Sequence, residues 1–203
     1  MNILDLLQGQ MSDGVVEQLS GQIRSDKDRT SAAANGIFAT LVSALSRNVA
    51  NPQSGSSLLG ALDRDHDGSV LEDVMGFLSG NNKPQNARAS NGLGILDHVL
   101  GGKTDNVLQM VSKSSGLDLL KTGQLMQLLA PMVMGALGKA KKQQNLDQGG
   151  LANLLSGTIN QASQGRQELG IIGKVLDADG DGNVMDDIAG MGMKVLGNMF
   201  KNR

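Results

Sequence analysis

The sequence predicts an all-α protein made of two copies of one helical module, each with an EF-hand-like calcium loop. Three observations predict this organisation. Apolar residues recur at helical spacing along most of the chain, as in helices that bury one face. β-Branched residues are sparse and never alternate with polar residues over a useful length, so no strand is expected. The chain also matches itself after a shift of 92 residues.

The composition limits what the core can contain and which kinds of site are possible. Of 203 residues, 39% are hydrophobic, and the only aromatic residues are three Phe. A core must therefore be built from Leu, Val, Ile, Met and Ala. The absence of Cys excludes disulfides and thiolate zinc sites. The net charge of −2 gives no reason to expect a nucleic-acid partner.

The sequence contains no segment that predicts a membrane span or an export signal. No apolar run approaches the about 20 residues that cross a bilayer. The first residues lack the basic region and the long apolar run of a signal peptide. We therefore expect no transmembrane segment and a cytoplasmic location. Export by a leaderless route is the alternative, because weak calcium loops fill best where calcium is millimolar.

Helix boundaries can be predicted in the first part of the chain. A short amphipathic helix over 3–7 should end near Gly9, and a second helix should follow Asp13 as its N-cap. A third helix should begin at Asp28 or Thr30 and continue along an apolar face.

The counterpart of the third helix in the second copy contains a proline. It reads TGQLMQLLAPMVMGALGKA, with Pro131 in the middle. Pro lacks an N–H and its ring clashes with the preceding turn, so this helix is expected to kink or split. Its Met residues are interpreted as core side chains rather than as a groove for a partner.

The self-match divides the chain into two modules. Asp26 meets Asp118 and Thr30 meets Thr122, and the register holds without a gap for about 45 residues. The stretch between the modules is polar and rich in Asn, as linkers are. The predicted division is module one at 1–80, a linker at 81–92, and module two at 93–203 with an insertion at about 140–165.

Two acidic loops, 63–74 and 177–188, carry the pattern Asp-x-Asp-x-Asp-Gly that opens an EF-hand calcium loop. Calcium takes about six to eight oxygen ligands, and alternating Asp residues on a turning loop supply them. Carboxylates brought this close without a cation would repel one another. The predicted ligands of two calcium ions are Asp63, Asp65, Asp67, Ser69, Glu72, Asp73, Asp177, Asp179, Asp181, Asn183, Asp186 and Asp187.

Both loops depart from the EF-hand at position 12, where Val74 and Ile188 replace the bidentate Glu. We expect an acidic residue before position 12 to complete the coordination shell of each ion. We favour Asp73 and Asp187, because both copies keep Asp there. Mg²⁺ is a possible occupant, although it demands a stricter octahedron. Without any ion, the same residues would be exposed acidic turns whose Asp side chains cap helices.

These features predict a calcium-binding, metal-stabilised structural or interaction protein, with a protein partner or self-association possible. The alternative is a calcium sensor in which the ion opens a helix pair. No enzyme is expected, because the chain has no Cys or Tyr and no nucleophile–base set near its two His. His66 is expected to face solvent, and His98 to be partly buried on a helix.

Two stretches resemble the YidB-like bacterial family of uncharacterised function. They are LLGALDRDHDGSVLEDVMGFL in module one and GQLMQLLAPMVMGALG in module two. The resemblance extends over most of both modules. It implies an orthogonal array of helices and no established activity.

Overall fold

The computed structural model describes residues 2–66, Gly76 and residues 89–164. Within these ranges the regular structure is helical and no strand occurs, which confirms the predicted all-α class for this part of the chain. A 3₁₀ turn at Gly101–Lys103 joins two of the helices. The helices are α1 (Ile3–Gln10), α2 (Asp13–Ile23), α3 (Lys27–Ala50), α4 (Pro52–Arg64), α5 (Gly92–Leu100), α6 (Thr104–Ser115), α7 (Leu119–Gln144) and α8 (Gln148–Gln164).

Two aspartates fix where the two longest described helices begin. The carboxylate of Asp26 accepts a hydrogen bond from the N–H of Arg29 at 2.8 Å. The carboxylate of Asp118 accepts one from the N–H of Lys121 at 2.9 Å. Each bond satisfies a backbone donor that the first helical turn leaves unpaired. Because Asp26 is the cap, α3 begins at Lys27, one residue before the earlier of the two predicted starts.

Helix α2 begins at Asp13, with Ser12 at the N-cap position. Asp13 is therefore the first helical residue and not the cap, so this predicted role was wrong by one position. A carboxylate there still stabilises the helix, because the N-terminal end of the helix dipole is positive.

Helix α7 continues through Pro131 without a break. The split that was one of two predicted outcomes does not occur. Ala130, Met132 and Val133 around it are at most 1% exposed. Their burial offsets the hydrogen bond that Pro cannot make, a loss of about 3 kcal/mol in a helix interior. Met132 and its neighbour Met134 are core side chains, as predicted.

Helices α3 and α7 form the centre of the fold. Helix α3 contacts every other described helix, and α7 packs against α1 through α6. Among the described residues, the largest fully buried side chain is Phe38 on α3. Buried residues from both predicted modules join one hydrophobic core. The boundaries of the modules, at 80 and 93, stay a prediction.

The predicted insertion at about 140–165 contains the end of α7 and helix α8. Helix α8 packs on α3 and α1 and buries Leu151 and Leu155 completely. The Gln148 side-chain amide donates to the Val49 carbonyl at 2.9 Å, which satisfies an acceptor at the end of α3. The described part of this insertion is therefore built into the core.

Candidate functional site

Two of the predicted metal ligands, Asp63 and Asp65, lie at the end of α4. Asp63 is in the last helical turn, and its side chain is 63% exposed and accessible to an ion. Asp65 follows as the C-cap, and its N–H donates to the Ala61 carbonyl at 2.9 Å. The remaining predicted ligands lie outside the described residues: Asp67, Ser69, Glu72, Asp73, Asp177, Asp179, Asp181, Asn183, Asp186 and Asp187.

Lys141 brings a positive charge to Asp63. Its Nζ donates to Asp63 Oδ1, in an ion pair between residues 78 apart in the sequence. The Lys141 side chain is only 17% exposed, so its stem is packed while its ammonium reaches the carboxylate. Lys141 also lies in the last turn of α7, where the helix dipole favours a cation. The ends of α4 and α7 are thereby tied together.

His66 is buried, whereas the sequence predicted exposure to solvent. Only 4% of the residue is exposed. His66 stands four residues after Leu62, which stands four residues after Leu58, and both leucines are buried. The backbone stays in the right-handed helical region through Asp65, so His66 extends the buried stripe of α4.

The neutral form of His66 is favoured at the end of α4. Burial lowers the pKa of His66, and this effect exceeds the rise caused by the nearby Asp65 carboxylate. The Nδ1 atom of His66 has no hydrogen-bond partner among the described residues. The imidazole therefore places no fixed positive charge beside the two described acids.

A groove of about 490 Å³ runs between α4 and α5. Its floor is apolar, with Leu58 and Ile95 on the two helices and Met134 on α7 beneath them. Charged and titratable residues also line it, and these are Arg64, Asp65, His66 and His98.

The groove is lined by both histidines of the chain, which the sequence did not indicate. His98 is exposed rather than partly buried, because Ile95 and Val99 take the inward positions of α5. The two histidines are far apart in the sequence and no spacing relates them. Both histidines reach one groove because α4 and α5 each pack against α3 and α7, an arrangement that neither helix encodes by itself.

The described side chains do not by themselves complete a metal site. No group of three or more His, Cys, Asp or Glu that could hold a metal ion occurs within residues 2–66 and 89–164. At the end of α4 the described acids are the exposed Asp63 and the half-buried Asp65, and the ammonium of Lys141 already pairs with an oxygen of Asp63. A divalent cation that approaches Asp63 therefore meets an existing ion pair.

The comparisons with known proteins point to one family. A family model described as "Bacterial protein of unknown function (DUF937)" matches residues 5–140. No match was found among curated proteins or among solved structures. In the described ranges, no helix combines the length and apolar character needed to cross a membrane. The matched segment covers about two thirds of the 203 residues, and the chain therefore belongs to this bacterial family of unknown function.

Proposed function

We propose that the protein is a calcium-binding helical protein whose two acidic loops hold ions that stabilise a structural or interaction module. The observation that carries this proposal is the repeated loop. The segments 63–74 and 177–188 share Asp at positions 1, 3 and 5 and Gly at position 6. One acidic turn alone would fit helix capping, whereas two turns in matching flanks favour a common ligand. Mg²⁺ would fit the same oxygens less well, because it needs a stricter octahedron.

The end of α4 supports this proposal for the first loop. An EF-hand places its calcium loop directly after an entering helix, and Asp63 and Asp65 lie where α4 ends. Asp63 is accessible, and the buried Leu62 beside it anchors this turn in the core. A cation bound there would offset the repulsion between neighbouring carboxylates.

We also propose that the two modules arose by duplication. Helices α3 and α7 begin at Lys27 and Leu119, 92 residues apart, and α2 and α6 begin at Asp13 and Thr104, 91 apart. These starts follow the shift found in the sequence to within one residue, whereas α1 and α5 begin at Ile3 and Gly92, 89 residues apart. The agreement supports extending the interpretation of the first loop to 177–188, which lies outside the described residues.

A structural role for the ion is favoured over a sensor role. A bidentate Glu at position 12 normally closes the calcium shell, and Val74 and Ile188 stand there instead. Without that Glu, the ion would be coupled more weakly to the segment that follows each loop. Ions that bind only the folded state would stabilise it by about 2.7 kcal/mol per site at a hundred times Kd. A core without Trp or Tyr would benefit from that stabilisation.

Self-association is the interaction that the surface favours. Leu93 and Leu120 are 62% and 73% exposed, and Leu93 lines one shallow cavity with Leu128 and Gln124. Leu120 lies one turn before Gln124 on the same face of α7. We call Leu93, Leu120 and Leu128 the leucine surface. None of the described residues lining this cavity is charged, so two copies could meet there without like-charge repulsion.

Thermal unfolding with and without calcium tests the stabilising role of the loops. Two filled sites should raise Tm by about 10 °C or more, given about 2–4 °C per kcal/mol for a chain of this size. The double variant Asp63→Ala/Asp177→Ala should lose this rise. The control Asp28→Ala/Asp97→Ala removes two acids outside the loops and should keep it. A wild-type Tm that is equal in calcium and in chelator would contradict the stabilising role.

A further inference from the structure

We infer that Lys141 is a built-in competitor of the divalent cation at the first acidic loop. Its ammonium is already paired with Asp63 Oδ1. Asp63 is the first predicted ligand of the loop, so a bound cation would use the same carboxylate. The inference rests on the proposed function and adds a regulating residue to it. The lysine weakens calcium binding at this loop, because calcium must either displace the ammonium from Asp63 or share the carboxylate with it.

The structure holds Lys141 where it can compete. The residue before it, Ala140, is fully buried in the core, which fixes the end of α7. The Lys141 side chain is mostly covered while its ammonium reaches an exposed carboxylate. Little conformational freedom remains to be lost when the pair forms, so the lysine competes better than a freely moving side chain would.

A lysine at this distance opposes a metal ion in two ways. It uses one of the oxygen lone pairs that calcium needs, and its positive charge repels a divalent cation nearby. Loss of the lysine charge should therefore tighten calcium binding at the first loop by about tenfold. Exposure of Asp63 to water and salt keeps the effect from being larger.

The competitor belongs to one copy of the module. A shift of 92 residues places Val49 opposite Lys141, and Val49 is a buried apolar side chain. The first copy thus offers no lysine at the equivalent helix position. We expect the two loops to bind calcium with unequal affinity, the first more weakly than the second.

The test measures calcium affinity of the first loop alone in the full-length chain. The double variant Asp177→Ala/Asp179→Ala removes two predicted ligands of the second loop, so that only the first loop can bind calcium. Competition with a chromophoric chelator then measures the calcium Kd. In this parent, Lys141→Gln should lower Kd about tenfold. Lys141→Arg keeps the charge and should keep the parent's Kd. Lys139→Gln removes the charge of an exposed lysine on the same helix and should also leave Kd unchanged.

The outcomes separate this inference from the proposed function. Equal Kd values for Lys141→Gln and Lys139→Gln, in a parent that binds calcium, would overturn the competition and leave the calcium loops standing. Binding that appears only after Lys141→Gln would support the competition in its strongest form. If the wild-type chain, Lys141→Gln and Lys139→Gln all fail to bind calcium, both the competition and the proposed function fail. Circular dichroism of each variant in chelator checks that it is folded, which is expected because the Asp63 end of the pair is exposed and such pairs contribute little to stability.

Discussion

Asp63 has two candidate partners, the ammonium of Lys141 and a divalent cation. The first is present in the structure, where the pair joins the end of α4 to the end of α7. The second follows from the loop pattern that begins at this residue. A carboxylate with 63% of its side chain exposed can exchange one partner for the other without unfolding the helix that carries it.

His66 shows how a residue inside an acidic run can still belong to the core. It lies between Asp65 and Asp67 in the sequence, yet it continues the buried stripe of α4. Burial lowers the pKa of His66, which favours its neutral form. The cation that pairs with Asp63 among the described residues is the ammonium of Lys141.

The cap of α7 should make stability depend on pH in the acid range. The N–H of Lys121 donates to Asp118 and lowers the pKa of that carboxyl below its ordinary value of 3.8. A lowered folded-state pKa means that the cap contributes its full stability above pH 3.8. The contribution is then lost as pH falls through the folded-state pKa. Urea unfolding of Asp118→Asn at a series of pH values should show less acid destabilisation than wild type.

Asn is a suitable replacement for Asp118 because it also caps helices but does not titrate. Asp97→Asn, at an exposed acid within α5, serves as the control and should follow the wild-type pH profile. If Asp118→Asn and wild type lose stability in parallel from pH 5 to pH 2, the cap does not carry this pH dependence.

Helix α7 shows which features of the elements could be predicted from the sequence. Apolar spacing predicted the helix, and its Met residues are core as expected. Whether the helix would break at Pro131 could not be predicted from the sequence, because the packing that offsets the lost hydrogen bond comes from the surrounding helices. The same holds at α2, where the cap role of Asp13 was wrong by one residue. Terminal residues depend on local geometry that the pattern does not define.

The candidate site was predictable only in its local part. The acids of 63–74 form a contiguous pattern, so Asp63 and Asp65 could be identified from the sequence. The pairing of Asp63 with Lys141 could not, because those residues lie 78 positions apart and meet through the packing of α4 on α7. The groove that both histidines line arises in the same way, from the packing of α4 and α5 on α3 and α7.

At the scale of the whole molecule, the described core leaves one surface that packing does not explain. Core residues of α5 and α7 are covered, while Leu93 and Leu120 of the leucine surface stay exposed. Large apolar side chains grouped on a surface mark a contact with another molecule. Their grouping on two helices that pack together gives this contact a defined and rigid face.

We expect wild-type protein to form a dimer through the leucine surface and Leu120→Glu to be monomeric. A carboxylate placed in an apolar contact loses its hydration without gaining a partner, so Leu120→Glu should weaken the association. Light scattering after size-exclusion chromatography over a range of concentrations measures the mass. Gln109→Glu adds the same charge at an exposed position of α6 and should leave the dimer intact. A wild-type chain that is monomeric throughout would rule out self-association.

The central claim is that each chain binds two calcium ions through its acidic loops. Equilibrium dialysis of the full-length protein, with excess Mg²⁺ present, counts the calcium that each chain retains. We predict two ions for the wild type and none for Asp65→Asn/Asp179→Asn, which changes position 3 of each loop and leaves the Asp63–Lys141 pair in place. A calcium concentration that is no higher inside the dialysis bag than outside it would contradict the claim. The acidic loops would then be helix-capping turns.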